Sequence, residues 1–574
     1  MTNQEVAQFL YNIAAMLEII GESKFRVVAY EKAAHSVEHL PEDIRDIWKQ
    51  GKLEEIEGVG PSIAEKIADL LQNGKSKYYE NLKKKVPEGE IALTEIPGVG
   101  PKIAKMLFEK YKIKGVKELE KAAKSGKIEK IPHFGIISER NILRGIELLK
   151  KKKIEKERVL LNIAEPIARD LIARLKTLSM VEKCDAVGSL RRMKETIGDV
   201  DIIAAAKNPR EVIDFFVRQP VFKRVLSSGL TKASLIHKYN VRVDLEILPA
   251  EDYGSLLQHF TGSKEHNVRL RTWAQGKGLK ISEYGVVKKG KTYHFNDEKK
   301  FYEFLSMQYI PPELREDTGE IDAALAHKLP KLIELKDIKG DLHVHTEESD
   351  GSQKPEELAK RAMELGYEYL DISDHTKGLG VARGLDEKRL MKQITRINQL
   401  NKKFRNFRLF NGAEVNITAA GNLDIDHATL QKLDIVIGSV HSSFNQTKEV
   451  MTKRIIKALN HPEIDILGHP SGRIIGEREA YQADWQEIFR VAAKNQVAME
   501  VNSFPDRLDL KDVLIKEAIK FGVKIVIDTD THQLDHLDLM RYGVSQARRG
   551  WARKSDVINT LALKDFEQWI RRRG

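Results

Sequence analysis

The sequence predicts a multidomain protein in which an α-helical N-terminal region and an α+β central region precede a C-terminal barrel of the (β/α) type. A chain of 574 residues is too long for a single hydrophobic core, so several domains are expected. A glycine-rich segment repeats within the helical first part. From Gly340 onward, apolar runs of strand length alternate with helical stretches, which is typical of a parallel sheet covered by helices.

The composition is that of a globular protein, with 41% hydrophobic and 32% charged residues. The formal net charge of +11 resides mostly before residue 341, where a polyanion would be held by phosphate contacts. Cys184 is the only cysteine, which excludes an intramolecular disulfide and a multi-cysteine zinc site. No run approaches the roughly 20 apolar residues that cross a bilayer, and no signal-peptide pattern is present. We expect a cytoplasmic protein with no membrane partner and, by default, a monomer.

Two nearly identical segments punctuate the helical region: "IEGVGPSIAEKI" at Ile56–Ile67 and "IPGVGPKIAKML" at Ile96–Leu107, with a looser copy from Ile131. Their glycines permit a tight turn, and the proline suits the first helical position. Such a turn directs backbone N–H groups toward a phosphate oxygen. One copy alone could be a plain helical corner, but two copies on a basic segment favour DNA. They resemble helix-hairpin-helix motifs. The glycines expected at the DNA backbone are Gly58, Gly60, Gly98 and Gly100.

A first candidate metal site lies in "VGSLRRMKETIGDVDI", from Val187 to Ile202. Asp199 and Asp201 are two apart on a predicted strand, so both carboxylates project from one face. Asp244, in "VRVDLEIL", could complete the cluster from a neighbouring strand. Carboxylates this close repel one another unless cations neutralise them, and two Mg²⁺ ions suit nucleotidyl transfer. An exposed Asp-x-Asp is common by itself, but the preceding Gly-Ser and the later acid argue against that alternative.

These motifs resemble the palm of family X DNA polymerases, and "HFTGSKEHNVRLRTWAQGKGLKISEYG" at His259–Gly285 is similar to that family's nucleotide-selecting and thumb segments. The resemblance implies an α+β nucleotidyltransferase palm and thumb that add deoxynucleoside triphosphates to primer-template or gapped DNA. It implies that the three aspartates are catalytic and hold the metals. The residues it implies around the triphosphate, the nucleotide and the template strand are Gly188, Ser189, Arg192, Phe260, Gly262, Asn267 and Arg271.

Two positions depart from the family pattern. His259 replaces a tyrosine tied to sugar selection, and Lys264 replaces an acidic residue near the base, which leaves the preference for deoxynucleotides open. Lys66 matches the Schiff-base lysine with which polymerase beta removes 5′-deoxyribose phosphate, although Ser62 and Arg26 stand where the family has supporting lysines. A phosphate-contacting or solvated Lys66 is an equal alternative, so Lys66 is not assigned a catalytic role.

A second candidate site follows the apolar runs of the C-terminal region. The polar residues that occur near the ends of predicted strands are His343, His345, Asp350, His375, Glu414, His441, His469, Asp530 and His532. Strand C-terminal ends gather at one face of a (β/α) barrel. Histidine mixed with carboxylate suits Mn²⁺, Zn²⁺ or Fe²⁺, and this number of ligands predicts two or three ions. Arg473 is a candidate phosphate partner, whereas His427, His461 and His536 are interpreted as ordinary residues.

This ligand pattern resembles the PHP (polymerase and histidinol phosphatase) domain over roughly residues 336–574. A family X polymerase followed by a PHP domain is similar to one bacterial branch of that family, and the resemblance covers essentially the whole chain. It implies a distorted (β/α)₇-type barrel with Mn²⁺-dependent 3′→5′ exonuclease activity and, in some members, cleavage at abasic sites. Because all nine ligand positions are occupied, the resemblance favours an active domain.

We therefore predict a DNA-directed DNA polymerase that fills short gaps in DNA repair, with a barrel that trims 3′ ends. The expected segments are a helical domain (1–88), a second helix-hairpin-helix subdomain (89–156), the palm (157–252), the thumb (253–317), a linker (318–339) and the PHP domain (340–574). In one alternative the barrel hydrolyses small phosphomonoesters or only binds structural metal. Others are a nucleotidyltransferase acting on RNA, which the repeats argue against, and a DNA end-binding protein with vestigial sites, which the aspartate trio argues against.

Overall fold

The structure is a computed structural model that describes residues 3–571 except 39, 41–42, 88–92, 94–100, 126, 129–141 and 144–157. The chain divides into two compact units, Met1–Glu157 and Arg158–Gly574. The first unit is helical in its described residues. Its helices are α1 (Asn3–Ile19), α2 (Lys24–Glu38), α3 (Ile44–Lys49), α4 (Pro61–Asn73), α5 (Lys77–Lys85), α6 (Pro101–Glu109) and α7 (Val116–Lys124).

The first glycine repeat forms the turn that its sequence predicts. Pro61 is the first residue of α4 and Gly60 is its N-cap. Gly58 has a φ of +81°, and a Cβ there would lie 2.9 Å from Cγ of Lys32, so both backbone and space require glycine. The second turn, with Gly98 and Gly100, lies outside the described residues, but α6 begins at the equivalent proline, Pro101. The third copy also lies outside the described residues.

A five-stranded mixed sheet forms the centre of the palm. The elements here are β1 (Val159–Leu160), α8 (Leu161–Leu175), β2 (Val181–Ala186), α9 (Gly188–Arg191), β3 (Thr196–Ile197), β4 (Asp199–Ala206), α10 (Pro209–Val217), β5 (Phe222–Ser228), β6 (Lys232–His237) and β7 (Arg242–Leu248). The strand order is β2-β4-β7-β6-β5, and β4 and β7 are parallel neighbours. The two predicted carboxylate strands therefore lie side by side.

The thumb combines a small antiparallel sheet with helices. Its elements are α11 (Tyr253–Thr261), α12 (Lys264–Gly276), β8 (Leu279–Ser282), β9 (Gly285–Lys288), β10 (Lys291–Tyr293), α13 (Glu298–Phe304) and α14 (Glu320–Leu325). Glu298, on α13, accepts hydrogen bonds from Arg191 of the palm at 2.8 and 3.0 Å and from Arg315 at 2.6 Å. The hydroxyl of Tyr309 also donates to Glu298, at 3.1 Å. This buried carboxylate joins the palm to the thumb.

Replacing Glu298 by glutamine is expected to destabilise the second unit in a pH-dependent way. Burial alone would raise the pKa of Glu298, but Arg315 and Arg191 lower it to about 2. Because this pKa lies below the ordinary 4.5, the carboxylate contributes stability above about pH 4.5 and loses it as pH falls toward about 2. The difference corresponds to roughly 3 kcal/mol of unfolding free energy at neutral pH. Urea unfolding of Glu298→Gln beside the wild type measures this loss.

The exposed Glu303, on the same helix, supplies the matched control. Glu303→Gln is expected to shift the unfolding free energy by less than about 0.5 kcal/mol. A loss for Glu298→Gln that is equally large at about pH 7 and about pH 3 would contradict the assignment, because the ion pairs require the charged carboxylate.

Seven parallel strands form the barrel, each adjacent to the next in chain order. The elements are β11 (Gly340–Asp341), α15 (Pro355–Glu364), β12 (Tyr369–Ile372), α16 (Glu387–Asn401), β13 (Arg408–Asn416), α17 (His427–Leu430), β14 (Ile435–Ser439), α18 (Lys448–Leu459), β15 (Ile466–Leu467), α19 (Trp485–Asn495), β16 (Ala498–Asn502), α20 (Asp512–Lys520), β17 (Ile525–Asp528), α21 (Met540–Arg549) and α22 (Leu563–Ile570). Leucine, isoleucine and valine of alternate strand positions pack under the surrounding helices.

Two sets of contacts join the first and last strands of the barrel. Beyond β11 and β17, Val344 and Thr531 form a parallel bridge. At the other end, the Asn559 side chain donates to Gly340 O at 2.9 Å and accepts from Ile527 N at 3.1 Å, so one amide replaces missing strand pairing. Tyr369 stacks on Phe566 of α22, with ring centroids 4.4 Å apart, and so helps close the N-terminal end of the barrel. The polar candidate ligands lie at the opposite, C-terminal end of the strands.

The predicted fold class is confirmed: helices, an α+β palm and thumb, and a nearly closed seven-stranded parallel barrel follow in order. The stretch 318–339, predicted as a linker, contains α14, and its Ile333 and Ile338 pack in the barrel core. Of the helices described, none is both long and apolar enough to span a membrane.

Candidate active sites

Three carboxylates converge in the palm. Asp199 and Asp201 share one face of β4, and Asp244 is the direct partner of Asp201 on β7. Each offers an oxygen within 4.8 Å of the others. Burial, with repulsion from Asp199 and Asp244, raises the pKa of Asp201 to about 7. This all-oxygen donor set fits hard divalent cations, which would relieve the repulsion.

Two further side chains hold Asp244 in place. The guanidinium of Arg242 lies 2.7 Å from Asp244 Oδ2, and the hydroxyl of Ser234 donates to Oδ1 at 2.5 Å. Ser234 is the direct partner of Asp244 on β6, and Arg242 lies two residues before Asp244 on β7. The third carboxylate is therefore fixed in orientation from its own sheet.

The short helix α9, which carries Gly188 and Ser189 and is followed by Arg192, begins beside the trio. Gly188 has a φ of +64°, and a Cβ there would lie 2.5 Å from Asp201 Oδ2, so only glycine fits. Arg192 donates through Nη1 to Thr261 O at 2.5 Å and through Nε to Glu316 at 3.0 Å. A guanidinium has five N–H donors, so three remain for another ligand.

The predicted nucleotide-selecting residues lie on α11 and α12 and in the connection between these helices. A Cβ at Gly262 would lie 3.2 Å from Arg192 Nη1, so this glycine and the arginine are in close contact. Asn267 donates to His259 O at 2.8 Å, and Arg271 Nη2 lies 2.8 Å from His259 Nδ1. Burial and the Arg271 charge lower the pKa of His259, so its neutral ring accepts from Arg271. The ring of Phe260 packs at 5.1 Å from that of His259.

The structure brings all nine predicted barrel residues together at the C-terminal end of the strands. Glu414, fully buried on β13, is at the centre. Its Oε1 lies 2.9 Å from Nε2 of His469 and 3.1 Å from Nε2 of His441. Its Oε2 lies 2.6 Å from Nδ1 of His375 and 3.5 Å from Nε2 of His343. Nε2 of His345 lies 3.8 Å from Oε2, so one carboxylate faces five imidazoles.

Two other carboxylates bridge the remaining histidines. Asp530 Oδ1 lies 3.2 Å from His345 Nε2, and His532 Nε2 lies 3.4 Å from Asp350 Oδ1. Asp350 also lies 3.6 Å from His375. Three overlapping sets could each hold an ion: His345 with Asp350, His375 and His532; His343 with His345 and Asp530; and His375 with Glu414 and His441.

Several ring nitrogens in this cluster are buried without a well-directed hydrogen bond among the described residues, although Nδ1 of His375 and Nε2 of His345 face carboxylate oxygens. They are His343 Nε2, His345 Nδ1 and Nε2, His375 Nδ1 and His469 Nδ1. Burial and the neighbouring His532 and His375 lower the pKa of His345 to about 3, so its ring is neutral, the form that coordinates metal. Buried polar atoms are ordinarily satisfied, so the donor set fits metal ions that would bind these nitrogens.

Hydrogen bonds from a second layer of residues orient the candidate ligands. Glu500 lies 2.6 Å from His343 Nδ1, which leaves Nε2 facing Glu414. The Asn416 amide oxygen lies 2.7 Å from His441 Nδ1 in the same way. Asp374 accepts from Thr346 and Ser349 and so fixes the loop before Asp350. Such partners fix ring orientation in metal sites.

The position of Arg473 differs from the sequence interpretation, which named it as a candidate phosphate partner. Arg473 donates from Nε to Arg507 O at 2.8 Å and from Nη2 to Glu195 of the palm at 2.8 Å, so it braces two domains. Arg507 instead faces the cluster, with Nε 3.5 Å from Asp530 Oδ2. The sequence held a weak signal for Arg507, since it follows the apolar β16 run as the ligands follow theirs.

Lys66 occupies a sheltered position in the first unit. Its Nζ donates to Ser62 O at 2.6 Å and to Ser62 Oγ at 2.9 Å, and lies 4.7 Å from the centre of the Tyr78 ring. Burial lowers the pKa of Lys66, and the Arg26 charge lowers it further. A lowered pKa is what a Schiff-base lysine requires, but these contacts equally suit a structural one.

The segments match known families. Residues 1–76 match a helix-hairpin-helix domain family, and residues 90–147 match the SAM-like helix-hairpin-helix tandem. Residues 256–316 match the DNA polymerase beta thumb, and residues 341–504 match the PHP domain. Fold and sites together define a family X polymerase joined to a PHP domain.

Comparison of the whole chain with known proteins identifies its family more closely. The chain is 38% identical over 576 residues, covering 100% of both proteins, to the DNA polymerase/3′-5′ exonuclease PolX of Bacillus subtilis (strain 168). It is 30% identical over 203 residues, 33% of this chain and 78% of the relative, to a "Probable phosphatase" of Thermoanaerobacter sp. (strain X514). It is 22% identical over 353 residues, 55% of this chain and 58% of the relative, to DNA polymerase lambda of Rattus norvegicus. The chain belongs to the PolX family of bacterial family X DNA polymerases.

Proposed function

We propose that the palm extends DNA 3′ ends in short gaps during repair and that the barrel shortens 3′ ends. The observation that carries this proposal is the presence, in one compact unit, of an oxygen-only aspartate trio and a separate histidine–carboxylate cluster. The first donor set suits phosphoryl transfer from a nucleoside triphosphate, and the second suits hydrolysis.

In the palm, Asp199, Asp201 and Asp244 would hold two Mg²⁺ ions. When bound, such ions activate the 3′-hydroxyl and neutralise charge on the leaving pyrophosphate. Gly188 and Ser189 present backbone and hydroxyl donors to the triphosphate, and Arg192 adds its remaining N–H groups. Phe260, Gly262 and Asn267 shape the nucleotide pocket, and Arg271 contacts the template strand.

In the barrel, the ligands would be the nine clustered residues with two or three Mn²⁺ or Zn²⁺ ions. When bound, such ions lower the pKa of a water and polarise the scissile phosphate. Arg507, beside Asp530, places a positive charge where a phosphate oxygen would be attracted. Glu500 and Asn416 hold the two histidines in the orientation that coordination needs.

The helical region would grip the DNA backbone without reading sequence. Gly58 and Gly60 form the first turn before α4. Gly98 and Gly100, which occur in the repeated sequence, are proposed as further contacts to the DNA backbone. Backbone N–H groups at such turns contact phosphate oxygens. We propose that the protein acts as a monomer in the cytoplasm, at the nucleoid when DNA is under repair.

A barrel acting on small phosphomonoesters is the second candidate, because the barrel region resembles a protein named as a phosphatase. The test is an assay of wild-type protein on a 5′-labelled primer in gapped DNA, with Mg²⁺ or Mn²⁺, beside a small phosphomonoester and a matched RNA primer. We expect nucleotide addition with triphosphates and primer shortening without them, and turnover of the monoester at least about 100-fold slower. Rapid monoester turnover without shortening would favour the second candidate.

A further inference from the structure

One buried carboxylate connects the nucleotide site of the palm to the barrel. Glu316 lies at the end of the thumb, and its side chain is only 9% exposed. Its Oε1 accepts from Nε of Arg192 at 3.0 Å and from Nη1 of Arg549, on barrel helix α21, also at 3.0 Å. Two arginines from different domains therefore share one oxygen.

Arg549 also contacts Arg192 directly. Its Nη1 donates to the backbone oxygen of Arg192 at 2.8 Å, and its Nη2 donates to Asp512 of α20 at 2.5 Å. The Arg549 side chain is 3% exposed, so these contacts are shielded from solvent. The result is an alternating row of charges, Asp512, Arg549, Glu316 and Arg192, that runs from the barrel to the polymerase site.

The neighbouring residues strengthen the same connection. Lys194 Nζ lies 3.8 Å from Glu316 Oε2, and Glu195 accepts from Arg473 of the barrel at 2.8 Å. The segment from Arg192 to Glu195 is thus held from the barrel side by two arginines. Lys194, Arg549 and Arg192 hold the pKa of Glu316 below its ordinary range against the effect of burial.

We propose that Arg549 of the barrel is a positioning residue for nucleotide binding: it shares Glu316 and so keeps the Arg192 guanidinium available to the triphosphate. Arg192 already gives one N–H to Glu316 and one to Thr261 O. Without Arg549, Glu316 loses one of its cations and attracts Arg192 more strongly, since a buried charge must be compensated. The donors of Arg192 then turn from the nucleotide toward Glu316. The inference rests on the proposed polymerase function.

The test is single-nucleotide gap filling by full-length Arg549→Met, with KM for the triphosphate and kcat measured separately. We expect KM to rise about tenfold and kcat to change less than about twofold, because a ground-state contact is weakened. Shortening of 3′ ends should stay within about twofold of wild type. Arg549→Lys, which restores the charge, should recover most of the KM change.

Arg548→Met is the matched control, because Arg548 adjoins Arg549 and crosses the same interface to Glu313 at 2.7 Å without touching Arg192. An equal rise in KM for Arg548→Met would overturn the proposal, as it would indicate general loosening of the interface. An unchanged KM in folded Arg549→Met would also overturn it. If Arg549→Met fails to fold, Glu316→Gln decides, because loss of the charge that Arg192 and Arg549 share must change KM. Absence of extension by wild-type protein would instead refute the polymerase function itself.

Discussion

Asp201→Ala is expected to abolish extension of DNA 3′ ends while 3′ shortening continues at the wild-type rate. Asp201 lies between Asp199 on its own strand and Asp244 on the neighbouring strand. Its loss therefore leaves two of the three carboxylates that would hold the metal ions. Metal stabilisation of the transferred phosphoryl group supplies several kcal/mol, which corresponds to a decrease in kcat of about 1000-fold or more. Primer extension in Mg²⁺ measures this loss.

Asp214→Ala is the matched control for charge, because Asp214 is a half-buried carboxylate on α10 that pairs with Arg210 at 3.0 Å. Its extension rate should remain near that of the wild type. Extension by Asp201→Ala within about tenfold of wild type would contradict the metal assignment. Loss of 3′ shortening in the same variant would show that both reactions use one site.

His343→Ala is expected to have the opposite effect: 3′ shortening is lost and extension is retained. His343 is completely buried, with Nδ1 held by Glu500 at 2.6 Å and Nε2 facing both Glu414 and Asp530. Removal of its ring takes one donor from the set it forms with His345 and Asp530. We expect shortening in Mn²⁺ to fall by about 1000-fold.

Two further variants distinguish a loss of the shortening reaction from a loss of folding stability. His532→Ala removes a ring at the mouth of the cluster, 29% exposed, and should lose shortening without a large loss of stability. His427→Ala, at a side chain 54% exposed near Glu463, should leave shortening unchanged. Shortening by both His343→Ala and His532→Ala at the wild-type rate would refute the barrel nuclease.

The clustering of both sites could be predicted from sequence because it follows from strand geometry. Asp199 and Asp201 are two residues apart on one strand, and period-two alternation places them on one face. The barrel residues follow successive apolar runs, and parallel strands end at the same face. Thus Glu414 on β13 and His375 after β12 lie in contact because their strands are adjacent and parallel, although no local sequence motif links the two residues.

What could not be predicted depends on contacts between distant segments. Arg473 and Arg507 look alike in sequence, and only the docking of the palm onto the barrel directs Arg473 to Glu195 and leaves Arg507 beside Asp530. The bond from Arg549 to the backbone of Arg192 joins residues 357 positions apart, with no local pattern to reveal it. Asn559 helps to close the barrel through a side-chain amide that donates to Gly340 O, 219 positions away.

The most direct test of two independent sites uses a primer with a mismatched 3′ nucleotide beside a gap, because its repair requires shortening and then extension. Asp201→Ala and His343→Ala are assayed separately and then mixed. We expect each variant alone to yield no matched, extended primer, and the mixture to restore it, since each protein supplies one intact site. Full repair by either variant alone, or no repair by the mixture, would contradict the account.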